Sequence, residues 1–277
     1  MTFNTVINQN LKGKEDLRHV FIVHYGDNHI QKASVHCEGK LALLYQQTPL
    51  AKLDTLSPVV IEIQTENALE TLSTAVINKE LDGILLSIPK ALPFDTLLGL
   101  LRERLFIRFD GERKGVLHFQ NPLIASHFFK DSTIEDTSLW LNCMIAVSWL
   151  DCSPWGSQQW ECMINNITST NNKAPSDAWT LLFSQQAALC KTVDDKILKS
   201  YFTHLGTGPS KQQWQQGYQY IALAEAYGID TEPDIHTFLH LAFNQHEALI
   251  HALNTYSVLP IQIQTLERAV QHSQELI

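Results

Sequence analysis

Short apolar runs alternate with helix-like stretches along the first part of the chain. The runs at 19–25, 57–64 and 82–88 are rich in β-branched and aromatic side chains, which is typical of buried strands. Residues 66–78 and 93–106 instead carry apolar side chains at every third or fourth position, which predicts helices. This alternation predicts a sheet covered by helices, of the α+β or α/β class.

Three further segments of this part have weaker patterns. Residues 38–48 have apolar positions at helical spacing, so we expect a helix there. Residues 104–120 predict two strands joined by a turn at Asp110-Gly111. Residues 121–129 predict the start of another helix.

The pattern changes after residue 130. Residues 131–174 contain four of the six tryptophans, and two strands are expected within them, at 139–149 and 158–164. We interpret this stretch as a small β element or a junction. The predicted organisation is therefore a mixed α/β sheet domain followed by an all-helical domain, with an α/β domain at 1–130, the tryptophan-rich junction at 131–174 and a helical bundle at 175–277.

Helical periodicity continues from Trp179 to the end of the chain. One or two helices are expected over 177–205, another over 212–227, and one or two more over 245–276. Gly228 is placed to end the second of these in a left-handed conformation. Thr231 is placed to cap the helix that follows, because Asp234 lies three residues further on.

The charge distribution supports two parts with different surfaces. The formal net charge is −9, and it arises entirely after residue 130, where 6 basic side chains face 15 acidic ones. An acidic balance argues against a general nucleic-acid binder, which needs basic side chains to neutralise phosphates. Acidic helices are also simply well solvated, so the charge alone does not identify a partner.

The first residues of the chain lack the apolar core of an export signal, and the longest apolar region, 81–101, is interrupted by charges and prolines. We therefore expect a cytoplasmic protein that does not contact a membrane. Five cysteines without a CxxC pair predict reduced and mostly buried thiols.

Candidate chemistry is sparse. No nucleophile motif and no phosphate-binding loop is recognisable, so neither an enzyme nor a cofactor is expected. The alternative is a metal-dependent hydrolase. If one unbroken helix covered the segment, His236, His240, Glu247 and His251 would share a face with zinc-like spacing. Solvent-facing histidines on an ordinary helix explain the same pattern.

The aromatic side chains and one basic cluster are the candidates for partner binding. Large aromatics fill cores or seal junctions, but they also dominate interface hot spots. The arginines around Arg102 alternate with acidic residues, which fits a solvated mixed face or a dock for an acidic partner. The partner-binding candidates are Trp140, Trp155, Trp214, Tyr218 and Arg102.

Loose hydrophobic motifs over residues 19–130 resemble the N-terminal domain of type VI secretion effector adaptors, the VasW-like family. Two helical segments of the second part, 176–189 and 224–243, are similar to that family as well. The matching segments in the first part are Leu44-Tyr45 with Thr48, Ser57-Pro58-Val59-Val60, Gly83 to Ser87, Leu100-Leu101-Arg102 and, in part, Leu117 to Leu123.

The resemblance implies a chaperone-like adaptor that binds a toxic effector and loads it onto the VgrG spike protein, without catalysis. The closing motif departs from the family pattern, since His118 and Asn121 stand where an arginine and an aspartate are usual. An ion pair between those two positions would become at best a neutral hydrogen bond here.

Overall fold

The computed structural model divides the chain into two compact units, Met1–Thr192 and Val193–Ile277. It describes residues 10–11, 16–109, 113–166, 178–206, 208–255 and 260–274.

A six-stranded antiparallel sheet forms the centre of the first unit. Its strands are β1 (Leu17–Val23), β2 (Leu41–Leu43), β3 (Val59–Ile63), β4 (Gly83–Pro89), β7 (Ala146–Leu150) and β8 (Trp160–Ile164). Their order across the sheet is β2-β3-β1-β4-β7-β8, and every neighbouring pair is antiparallel.

The central strands are buried on both faces, which explains their continuous apolar runs. In β1, Val20 and Ile22 point to one face of the sheet while Phe21 and Val23 point to the other, and all four are fully buried. Each face therefore needs a cover of its own.

Helices cover both faces. Helices α1 (His29–His36) and α2 (Glu66–Ile77) contribute buried side chains to the same apolar cluster as Phe21. Three other helices contribute to the cluster on the opposite face, and these are α3 (Phe94–Leu105), α4 (Pro122–Phe128) and α5 (Ile134–Leu141). A 3-10 helix, Ala51–Leu56, precedes β3.

A second, three-stranded sheet lies after α3. Strand β5 (Phe106–Phe109) pairs antiparallel with β6 (Arg113–Val116) and parallel with β9 (Trp179–Thr180). The predicted hairpin is confirmed by β5 and β6, whereas its expected turn at Asp110-Gly111 lies outside the described residues.

The second unit is helical. Its helices are α6 (Phe183–His204), within which the division between the units falls, α7 (Lys211–Ala226), α8 (Glu232–Asn244), α9 (His246–Thr255) and α10 (Ile263–Gln274). Buried side chains from all five form one apolar core.

Local signals set the ends of these helices. The Ser210 hydroxyl accepts a hydrogen bond from the Gln213 N–H, and the Ser210 N–H donates to Gln213 Oε1 at 2.8 Å, which forms a capping box at the start of α7. Gly228 follows α7 with φ +78°, as predicted, and a Cβ there would lie 2.5 Å from Pro260. The Thr231 hydroxyl caps α8 by accepting the Asp234 N–H at 3.4 Å.

The fold class predicted from the sequence, α+β with a helical C-terminal part, is confirmed. The helix expected over 177–205 begins only at Phe183, because Trp179 and Thr180 pair with β5 as strand β9. Two further local predictions are wrong. The expected helix at 38–48 is strand β2 followed by turns, because pairing with β3 outweighs the helical spacing. The expected strand at 139–149 begins as α5, and only its second half is β7.

The tryptophan-rich stretch at 131–174, predicted as a small β element or a junction, supplies β7 and β8 to the main sheet. The division of the chain into two compact units falls between Thr192 and Val193, whereas the sequence placed boundaries after residues 130 and 174. All five cysteines are free thiols, but Cys152 and Cys190 are exposed and the other three are only half-buried, so the expectation of mostly buried thiols is wrong. Among the described residues, no helix combines the length and the apolar character needed to span a bilayer.

Candidate functional site

The loop between β7 and β8, residues 151–159, is organised around one buried carboxylate. Asp151 is fully buried. Its Oδ1 accepts the Ser153 N–H at 3.1 Å and the Ser153 hydroxyl at 2.5 Å, while its Oδ2 accepts the Ser157 N–H at 2.9 Å. Lys130 Nζ donates to Oδ2 at 3.0 Å. The carboxylate therefore fixes both halves of the loop.

The electrostatics of Asp151 match this geometry. Burial alone would raise its pKa, but hydrogen bonds from Ser153, Ser157 and Lys130 outweigh burial and lower the pKa of Asp151 to about 2. Gly156 faces the same carboxylate, and a Cβ at that position would lie 2.5 Å from Oδ1. The loop thus requires both the charge at 151 and the missing side chain at 156.

Trp155 lies at the tip of this loop and is 51% exposed. Its backbone has φ +62°, a left-handed conformation that is uncommon for a bulky side chain. Such conformations persist where the surrounding structure holds them, and here the surrounding structure is the Asp151 network. The loop therefore holds the backbone of Trp155 in place and leaves about half of its side chain exposed to solvent, which suits a contact with another molecule.

Trp140 occupies a different environment. It is fully buried, and the rings of Phe119, Phe128 and Phe129 surround it edge-to-face at centroid distances of 5.1 to 5.9 Å. Arg104 Nε donates to its carbonyl oxygen at 3.0 Å. Trp140 is therefore a core residue in this structure and presents no surface to a partner.

Trp214 and Tyr218 are brought together on Asp195. The indole Nε1 of Trp214 donates to Asp195 Oδ1 at 3.1 Å, and the Tyr218 hydroxyl donates to the same oxygen. Burial and the Asp195 carboxylate raise the pKa of Tyr218. Asp195 and Trp214 are buried, so these contacts join α7 to the last turns of α6 and serve packing first.

Arg102 is half-buried on α3. Its guanidinium donates to the Leu44 carbonyl at 3.3 Å and to Gln47 Oε1 at 2.9 Å. Burial lowers the pKa of Arg102, and Asp95 partly opposes that effect. The Arg102 side chain also lines an open groove beside the β5–β6 hairpin.

The two unusual residues of the closing motif are joined through the backbone, where the Asn121 N–H donates to the His118 carbonyl oxygen at 2.8 Å. Asn121 Oδ1 caps α4 by accepting the Leu123 N–H at 2.9 Å, and Asn121 Nδ2 lies 3.1 Å from His24 Nε2. A side-chain contact between two uncharged groups therefore joins Asn121 to His24. Burial, followed by the neighbouring His118 and His29, lowers the pKa of His24 to about 4.

The premise of the metal hypothesis is not met. Helix α8 ends at Asn244 and α9 begins at His246, so no single helix carries His236, His240, Glu247 and His251. His236 Nε2 lies 3.3 Å from the Ile197 carbonyl. In the described part of the chain, no three metal-ligating side chains are grouped to hold an ion.

Phe183 is an aromatic side chain that the sequence analysis missed. It opens α6 and is 88% exposed. Its neighbour Ser184 donates to Asp136 Oδ2 at 2.5 Å, which ties the start of α6 to α5. A single phenylalanine at the start of a helix gives no sequence signal that distinguishes an exposed side chain from a buried one. Its exposure is therefore visible only in the structure.

Comparison of the chain with protein-family models, with curated proteins and with solved structures finds no match.

Proposed function

We propose that this chain is a type VI secretion adaptor, which binds a toxic effector and loads it onto the VgrG spike protein by non-covalent contacts alone. In this proposal it acts in the cytoplasm, without a cofactor and without contacting nucleic acid or membrane. The resemblance of residues 19–130 to that family supports the assignment. The structural observation that carries it is Trp155, exposed on a loop that Asp151 holds in place.

An exposed indole on a well-held loop is what a protein-binding surface needs. A few large aromatic side chains supply most of the affinity of a typical interface. Binding is weakened when flexible groups must be ordered first, and a preorganised loop avoids much of that cost. The Asp151 network meets this requirement because it fixes the loop before any partner arrives.

The proposal is tested by co-expressing the chain with the effector and the VgrG proteins of the same bacterium and purifying the complex through a tag on this chain. We expect a stable complex with at least one of them. Trp155→Ala should weaken it by about 1 to 2 kcal/mol, or roughly tenfold, because the indole is removed from the interface.

Val35→Ala is the matched control, because Val35 is an apolar side chain on α1 that is 79% exposed. It should leave the complex unchanged. If neither effector nor spike is retained, the proposal fails. If a complex forms but Trp155→Ala binds as well as the parent chain, the adaptor function stands and the assignment of its surface to the loop is wrong.

A further inference from the structure

An open groove of about 520 Å³ runs beside α3 and the β5–β6 hairpin. Three cationic side chains line it, namely Arg102 from α3, Arg108 from β5 and Lys114 from β6. Arg108 and Lys114 are directly opposed in the register of the hairpin, so their side chains leave the same face. Both strands and the helix thus place positive charge at one groove. The chain as a whole is acidic, with a net charge of −9, so this groove differs in charge from the chain's average.

Two of these cations, Arg108 and Lys114, have no carboxylate partner among the described residues, whereas the Asp95 carboxylate acts on Arg102. The carboxylate that lines the groove there is Glu103, and it pairs with Arg104 at 3.0 Å. Neither Arg108 nor Lys114 takes part in an ion pair between described residues. Arg108 Nε is buried and has no hydrogen-bond partner there. A buried donor of this kind favours an acceptor brought by a ligand.

Gly99 provides an independent observation. It lies inside α3, where glycine costs about 0.5 to 1 kcal/mol relative to alanine. Packing does not require it, because a Cβ at position 99 would have no atom within 4 Å. Gly99 lines the groove, so the missing side chain leaves room for a ligand's backbone to approach the helix closely.

The remaining lining separates two classes of anionic ligand. Pro49, Phe106, Ile107 and Ala178 add apolar surface next to the cations. A free phosphate ion makes no favourable contact with that apolar surface. A polypeptide segment with carboxylates and apolar side chains contacts the cations and the apolar surface alike. We propose that this groove binds an acidic segment of a partner polypeptide. The choice of a polypeptide as the ligand rests on the proposed function.

The binding experiment uses the full chain and a short fluorescein-labelled peptide of glutamate and leucine residues, followed by fluorescence anisotropy at low salt. The same peptide with glutamine in place of glutamate is the neutral probe. Inorganic phosphate and a single-stranded oligonucleotide serve as competitors. We expect the acidic peptide to bind, the neutral one to bind at least about tenfold more weakly, and added salt to weaken the acidic peptide's binding.

Three variants test the groove. Arg108→Gln and Lys114→Gln should each weaken binding by about threefold to tenfold, since each removes one charge contact. Gly99→Leu should weaken it by about tenfold or more by filling the groove, while its helix remains intact because leucine is a good helix former. Lys32→Gln is the control, because it removes one exposed positive charge from α1, outside the groove.

The inference is wrong if the acidic peptide does not bind, if Lys32→Gln weakens it as much as Lys114→Gln, or if Gly99→Leu has no effect. Competition by phosphate or the oligonucleotide at concentrations similar to the peptide's also overturns it, because the ligand class would then differ. The adaptor function is judged separately by the effector and spike complexes. If those form while the peptide does not bind, only the groove assignment fails.

Discussion

Replacing Asp151 by asparagine tests whether this carboxylate holds the loop that carries Trp155. The substitution keeps the shape of the side chain but removes its charge and turns one acceptor into a donor. In the folded chain the pKa of Asp151 is about 2, against an ordinary value of 3.8. That difference corresponds to about 2 kcal/mol of stability at neutral pH. We therefore expect Asp151→Asn to lower the free energy of unfolding by at least about 2 kcal/mol.

The pH dependence follows from the direction of this shift. A carboxyl group with a lowered pKa stabilises the fold fully at pH values above its ordinary pKa, and loses that effect as the pH falls through the folded value. With the values for Asp151, about half of the contribution should remain at about pH 3. The difference between the parent chain and Asp151→Asn should shrink accordingly.

Urea unfolding at about pH 6 and about pH 3, followed by circular dichroism and tryptophan fluorescence, measures this difference. Asp27→Asn is the control because Asp27 is exposed, and it should change stability by less than about 0.5 kcal/mol at either pH. A stability difference for Asp151→Asn that is small at neutral pH, or that does not fall with pH, would refute the role assigned to the carboxylate.

Three further substitutions test local features of the fold by thermal or urea unfolding. Gly217→Ala should destabilise the second unit by about 1 to 3 kcal/mol, because the added Cβ would lie 2.4 Å from Leu198 Cδ2 between α7 and α6. Gly99→Ala should stabilise the chain by about 0.5 to 1 kcal/mol, since its Cβ meets nothing and the helix gains propensity; a loss of stability would contradict the open groove. Asn121→Ala should cost about 1 kcal/mol by removing the cap of α4, and Asn121→Asp should restore most of it.

Much of the fold follows from the sequence because the signals are strong and local. The central strands are continuous apolar runs, and the helices α2 and α3 carry uninterrupted periodic faces. Segment 38–48 was mispredicted because a short edge strand and a helical turn share the same few apolar positions. Pairing of Ala42 with Val60 across the sheet decides between them, and such a contact is distant in sequence.

The candidate site was less predictable. The sequence grouped Trp140 and Trp155 as similar aromatics, yet one is fully buried and the other is 51% exposed. Residue type alone does not distinguish a buried tryptophan from an exposed one, because tryptophan is common both in cores and in interfaces. The role of Asp151 depends on hydrogen bonds within a loop, and the groove depends on strand register. Neither leaves a periodic signal in the sequence.

The length of the Asp151 loop is itself an argument for its function. Adjacent antiparallel strands such as β7 and β8 are ordinarily joined by about two to five residues. Here the connection spans residues 151–159 and is held by hydrogen bonds to one buried carboxylate. It also keeps Trp155 in a backbone conformation that costs on the order of 1 to 3 kcal/mol. A simple connector would need none of these features, whereas a loop that holds the backbone of Trp155 in place and leaves its side chain half exposed uses all of them.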